Sequence, residues 1–299
     1  MRISPLALAL LVGCSGGTSE DETTDTGEVV DPFSQFINTT ETATGDRSCY
    51  DGSGTWLTQD VDASAVASYP FGGTVADFET DDPVPDALVE VWLDDVYDGA
   101  PDVTGTSDNN GAVAIDLPSC QPFTYKVTTD PVAEETKDTY EAHQVYDVPT
   151  GTDIQDALNS VSTITYRLIP SLLGVSVDAD KGVIAGTALD CEGNEIEGAQ
   201  VIVKDADGNI PDSLVVNYFR DSFPNRDQLY TSADGLWVAA NVPEGTLTVE
   251  LYVYNGTDYD LIGATLVPSL ADSINISNIY EGYGDGVKYP ESCLVAAAN

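Results

Sequence analysis

The sequence predicts a mainly β protein built from two small antiparallel β-sandwiches, joined by a segment with one or two short helices. Three observations carry this. Period-two alternation recurs in short runs, as in ALVEVWL (residues 87–93) and LTVEL (247–251), and that period marks strands with one buried face. Turn-forming clusters such as DNNG (108–111) and DADGN (205–209) separate the runs. One grammar also appears twice, since TSDNNGAVAIDLPS (106–119) is answered by TSADGLWVAANVPEG (231–245).

The first residues read as a signal. Met1 and Arg2 supply a positive start, residues 3–12 an apolar core, and Leu11, Val12, Gly13 and Cys14 a lipobox-like ending. About ten apolar residues are too few for a permanent span, which needs ~20. Cleavage before Cys14 would leave an acylated cysteine, and several acyl chains anchor stably where one is marginal. Ser15 is not the aspartate that resembles an inner-membrane retention signal, so the expected location is the outer membrane of a Gram-negative envelope. Residues 14–48 are polar, acidic and without periodicity, the composition of a disordered tether.

Against 51 acidic residues stand 10 basic ones, a formal charge of −41. Such a chain repels phosphates and anionic lipid heads, so nucleic acid is excluded as a partner and a protein or carbohydrate ligand is the expectation. Setting Cys14 aside leaves Cys49, Cys120, Cys191 and Cys293, an even set that suits disulfides in an exported chain. No CxxC and no second histidine accompany them, which argues against zinc. Three pairings are possible. Cys49 with Cys120 and Cys191 with Cys293 is the favoured one, because each pair then brackets one sandwich.

The first sandwich is assigned to residues 49–130. Residues 72–78 give a short strand and 87–93 a clearer one. DNNG then turns the chain, Val113 and Ile115 restart the alternation, and FTYKVTT (123–129) closes the unit. The second occupies residues 181–295, with strands over 181–190 and 199–204, a turn at 205–209, then 236–239 and the alternating Leu247, Val249 and Leu251. Residues 131–180 form the connector. There Ile154, Leu158, Val161 and Ile164 sit at helical spacing, Thr152 or Asp153 is available as N-cap, and Pro170 should end or bend the helix or, equally, open a short second turn.

The order GAxVxV (198–203), TSxDGxW (231–237) and NVPEGxLTVEL (241–251) resembles the carboxypeptidase regulatory-like domain, a member of the transthyretin-like and Cna-B-like β-sandwiches. The resemblance covers residues 182–280 well and 72–130 loosely. It implies about seven strands per sandwich and a role as spacer, accessory module or ligand platform. The zinc peptidase domain that accompanies such modules in carboxypeptidases has no counterpart here. The lipobox, acidic tether and paired modules together are similar to lipoproteins of deltaproteobacterial type.

Candidate chemistry is sparse. His143 is the single histidine, no G-x-S-x-G elbow accompanies it, and a structural histidine between tyrosines is the favoured reading. Asp205, Asp207 and Asn209 have the i, i+2, i+4 spacing of a calcium loop, with Asp178 and Asp180 as a second short pair, yet Gly208 and Asp212 do not fall where that loop needs glycine and glutamate. DADGN is equally a plain hairpin turn, so no cofactor is expected and calcium stands as the one possibility. The insertion at residues 217–230, absent from the first copy, brings Tyr218, Phe219, Arg220, Phe223 and Arg226 together, the composition enriched in binding hot spots. The alternative is that its aromatics fill the core and its arginines pair locally. The functional expectation is a non-enzymatic, surface-anchored lipoprotein acting as a binding or spacer platform. The alternatives are an accessory or structural subunit of an envelope complex and a hydrolase using His143.

Overall fold

The chain alternates between two kinds of sheet partner. In the first half, β1 (Ala67–Pro70) pairs with β5 (Asp116–Ser119), and β2 (Thr74–Asp77) lies parallel to β8 (Ala157–Ser160). In the second, β10 (Ala199–Lys204), β14 (Gly245–Tyr254) and β15 (Tyr259–Ser269) form a three-stranded antiparallel sheet. A ten-stranded sheet joins the halves. It comprises β3 (Leu88–Trp92), β4 (Val103–Thr106), β6 (Phe123–Thr128), β7 (Asp138–Gln144), β9 (Gly182–Leu189), β11 (Val215–Arg220), β12 (Phe223–Asn225), β13 (Leu236–Val242), β16 (Ser273–Ile276) and β17 (Ile279–Tyr280). This computed structural model describes residues 41–295 apart from 51, 96, 98 and 131–135, all within one compact unit. Cys14, the signal and residues 14–40 of the tether lie outside the described residues.

The mainly β fold expected from alternation is the one observed, and the two halves are not separate sheets. Strand β16, near the C-terminus, lies between β7 and β9 and is parallel to both, so the sheet passes without a break from one half to the other. Gly186 is needed at this seam. A Cβ there would meet the Ser277 carbonyl oxygen at 1.8 Å, so only glycine lets the chain after β16 approach β9.

Three cores fill the layers. Between the three-stranded sheet and the large sheet lie Val201, Val249, Leu251, Ile262, Trp237 and Ile184. Phe71, Val75, Val89, Leu117, Phe123 and Leu158 fill the first half. The third core lies on the large sheet's remaining face, where Val183, Val238, Ile274 and Ile276 meet helix α1 (Thr163–Leu173).

Helix α1 begins later than the spacing predicts. Leu158 and Ser160 are buried from an extended strand, β8, and the N-cap is Ser162, whose hydroxyl accepts from Thr165 N at 3.1 Å. Leu158 satisfied both periods, and pairing with β2 decided for the strand. Pro170 neither ends nor begins the helix. It sits inside, and Gly174 ends α1 at φ 76, its N–H bonded to the Ser171 carbonyl at 3.0 Å. After the DNNG turn, the strand forms over Asp116–Ser119 rather than at Val113 and Ile115, which are buried outside it.

The favoured disulfide pairing is not the one formed. Cys49 bonds Cys191 and Cys120 bonds Cys293, with Cα separations of 5.5 and 5.2 Å. Bracketing fails because each end of the described chain lies on the opposite half. Thr44 N donates to Glu197 O at 3.0 Å, Asp46 N to Asp190 Oδ2 at 2.8 Å, and Arg47 meets the buried Glu281 at 2.9 Å. Returning from the other end, Val295 N donates to Asp60 O at 2.8 Å and Ser292 Oγ to Asp147 Oδ1 at 2.7 Å.

Candidate functional site

The insertion folds as a hairpin, β11 and β12, turned by Asp221 and Ser222 at φ 52 and 64, two consecutive left-handed residues as a tight hairpin requires. Its strand alternation sends the five predicted residues in different directions. Tyr218 is buried in the sandwich core, where its hydroxyl accepts from Val201 N at 2.9 Å and burial pushes the phenol pKa up. Phe219 turns to the opposite face. Arg220 donates through Nε and Nη2 to Gln228 Oε1 at 3.0 and 2.6 Å, and Arg226 donates to the carbonyls of Leu172 and Ser171 at 2.6 and 3.3 Å. Phe223 is 57% exposed at the turn. The structure therefore does not gather these side chains into one patch.

At the predicted calcium loop, Asp205 Oδ1 accepts from the backbone N–H groups of Asp207 and Asn209 at 3.0 and 2.8 Å, and Gly208 has φ 81. This is an Asx-type turn closing toward β10. Asp178 N donates to Asn241 Oδ1 at 2.8 Å, and Asp180 lies 3.7 Å from Lys181. Among the described residues no group of three or more histidine, cysteine or acidic side chains is arranged to hold a metal ion.

His143 is held at both ring nitrogens. Nδ1 lies 2.6 Å from Asp95 Oδ2 and Nε2 2.6 Å from Leu266 O, while its own N–H donates to Asp95 Oδ1 at 2.9 Å. Burial opposes the imidazolium, yet the bond to Asp95, that carboxylate's charge and the Leu266 carbonyl together hold the pKa above its ordinary value. Both nitrogens then donate, and the ring ties β7 to β15.

A cleft of about 230 Å³ lies under α1. Its floor follows from register: Ile276 of β16 stands opposite Ala185 of β9 and Glu141 of β7, and Ala185 opposite Val238 of β13, so one row of side chains crosses four strands on one face. Tyr166 and Ile169 of α1 roof it, and Phe219 and Phe78 wall it. Its polar end is Glu141, 7% exposed. Glu141 Oε2 accepts from the Tyr125 hydroxyl and from Asn159 Nδ2, the latter at 3.1 Å. Both partners are neutral. Burial pushes this carboxyl up to about 7 against the pull of those two bonds, and Asp156 adds to the rise.

No protein-family model matches the chain, and no curated protein sequence does. Among solved structures, the Bacillus anthracis TIE protein is similar over 72% of this chain at 16% identity and TM-score 0.24, the match spanning only 33% of that protein. The shaft pilin SpaA of Lactobacillus rhamnosus GG aligns over 74% of this chain and 100% of its own, at 12% identity and TM-score 0.25. GBS52, the minor pilin of Streptococcus agalactiae, aligns over 76% and 99%, at 9% and 0.23. Likeness at this level assigns no family.

The cleft was not legible from the insertion alone. Only Phe219 of the five predicted residues reaches it. The signal for Glu141 was weak: DTYEAHQ places one glutamate among residues that are polar on one face and mixed on the other, which also suits a polar connector.

Proposed function

We propose that the protein is a non-enzymatic module of a bacterial cell envelope, lipid-anchored at Cys14 through the acidic segment that follows it, of which residues 44–48 are docked on the body rather than free tether, and whose sandwich body serves as a platform or spacer. The observation that supports this is the crossed closure of the body. One sheet runs through both halves, and each disulfide fastens a terminal segment onto the half distant in sequence. A body closed in this way holds a fixed distance and presents a fixed surface in an oxidising compartment. His143 has both nitrogens engaged, which lends the hydrolase reading no support. With a charge of −41, the partner presented to would be a protein or a glycan rather than a nucleic acid.

A second reading, an accessory subunit of an envelope complex, is favoured by one surface. Ile164, Leu168 and Leu172 are 77%, 46% and 48% exposed, and they fall at i, i+4 and i+8 on the outer face of α1. The test is to express the full chain and its Cys14→Ala variant in a Gram-negative host, fractionate the envelope, and cross-link before pull-down. Wild type should partition with the membrane and the variant should not, and equal partitioning of the two would refute anchoring. Recovery with a stoichiometric partner that Leu168→Asp abolishes would favour the subunit, whereas recovery alone would favour the platform.

A further inference from the structure

We propose that the cleft beneath α1 is a binding site for a small organic amine: an apolar, aromatic or branched body seated on the sheet, with its ammonium against Glu141. The inference does not depend on membrane anchoring. It rests on what the cleft contains and what it lacks. Val183, Ala185, Val238, Ile274 and Ile276 give an apolar floor that water wets poorly, and the volume of about 230 Å³ admits a ring and a short chain.

The polar end sets the charge of the occupant. A carboxyl 7% exposed is normally matched by a cation or by donors to both oxygens. Here the bonds that Oε2 accepts come from the neutral groups of Tyr125 and Asn159, and Glu141 lines the cleft. Two lysines that flank Glu141 in sequence or register are engaged elsewhere: Lys126 lies 3.7 and 3.2 Å from Glu90 and Asp138, and Lys137 lies 2.6 Å from Asp272. An ammonium in the cleft would bring this carboxylate a donor and a countercharge together, a pairing that is strong where water is excluded. Phe78, Tyr166 and Phe219 line the same space with aromatic rings, which favour a cation over an anion. The charge of −41 acts in the same direction by concentrating cations and excluding carboxylates.

The test is calorimetric titration of the full chain at pH 7.5 with three isosteric probes, 2-phenylethylamine, 2-phenylethanol and 3-phenylpropionate. The amine should bind at least ~10-fold more tightly than the alcohol, and the acid should not bind, the order a desolvated charge pair imposes. Glu141→Gln should remove that preference, bringing amine and alcohol to within about twofold. Ala185→Phe, which fills the floor, should abolish binding of both. Equal affinities for amine and alcohol on the wild-type protein, or no amine binding up to millimolar concentration, would overturn the proposal without reference to any variant. So would an unchanged amine preference in a folded Glu141→Gln protein.

Discussion

At the scale of single residues, strand β7 holds Glu141 and His143 in environments that differ. The Glu141 carboxyl sits at about 7 in the folded protein against an ordinary 4.5, because burial disfavours its charge. The folded state therefore binds the proton more tightly than the unfolded chain. Its destabilisation is absent below about 4.5, grows as pH rises and is complete above about 7, on the order of 3 kcal/mol at ~1.4 kcal/mol per unit. Glu141→Gln should accordingly raise the melting temperature relative to wild type at pH 8 and leave it nearly unchanged at pH 4.5. A difference of equal size at both values would contradict this account. His143 acts in a later window. Its folded pKa is raised above 6.5, so its contribution is fully present below 6.5 and is lost as pH climbs through the folded value. His143→Asn, a residue that tolerates the φ of 60 at this position, should cost roughly 1–3 kcal/mol at pH 6 and much less at pH 9, read from urea midpoints.

At the scale of elements, α1 shows how side chains from elsewhere complete a helix whose own sequence does not. It has no acidic residue in its first turn and no basic one in its last, and beside the Gly174 cap its Leu172 and Ser171 carbonyls accept from Arg226 reaching over from the hairpin. Arg226→Ala should destabilise by roughly 0.5–2 kcal/mol and loosen hydrogen-exchange protection in α1 before it affects β10, β14 or β15. Uniform loss of protection would show that the arginine is not a local cap. The same residue shows where sequence reasoning stops. Arginine beside aromatics in an insertion has the composition of a binding surface, and what separates a hot spot from a cap is the position of the Leu172 carbonyl 54 positions away. Strands such as β3, β10 and β14 were legible because alternation fixes their faces, whereas DNNG and DADGN turn the chain between strands that pair elsewhere: β4 with β3 and β5 with β1, β10 with β14 and β11 with β12 and β13. Strands β7, β8 and β16 were not, because each takes a parallel partner from far along the chain and no local turn announces the pairing.

At the scale of the whole molecule, the sheet and the disulfides constrain the same thing, the union of the two halves. The bridges enclose long stretches, with separations of 142 and 173 residues, and lie between chain ends and distant bodies, so each restricts the unfolded chain strongly. In the chain-entropy model loops of this length contribute about 5 kcal/mol, while measured bridges more often give 2–4. Cysteine count and compartment made the existence of the bonds legible. Their pairing was not, because it depends on residues 44–47 lying on the second half, a contact set by tertiary docking rather than by spacing. Two independent sandwiches with their own bridges would unfold separately on reduction. A sheet continuous through β7, β16 and β9 couples them instead, since opening either half strips β16 of one of its two partners. Calorimetry of residues 41–299 should therefore show one transition with a calorimetric to van't Hoff enthalpy ratio near 1. Cys191→Ser and Cys293→Ser should each lower its midpoint by roughly 5–15 °C without splitting it. Two resolved transitions in either variant would mean that the disulfides, rather than the shared sheet, hold the halves together.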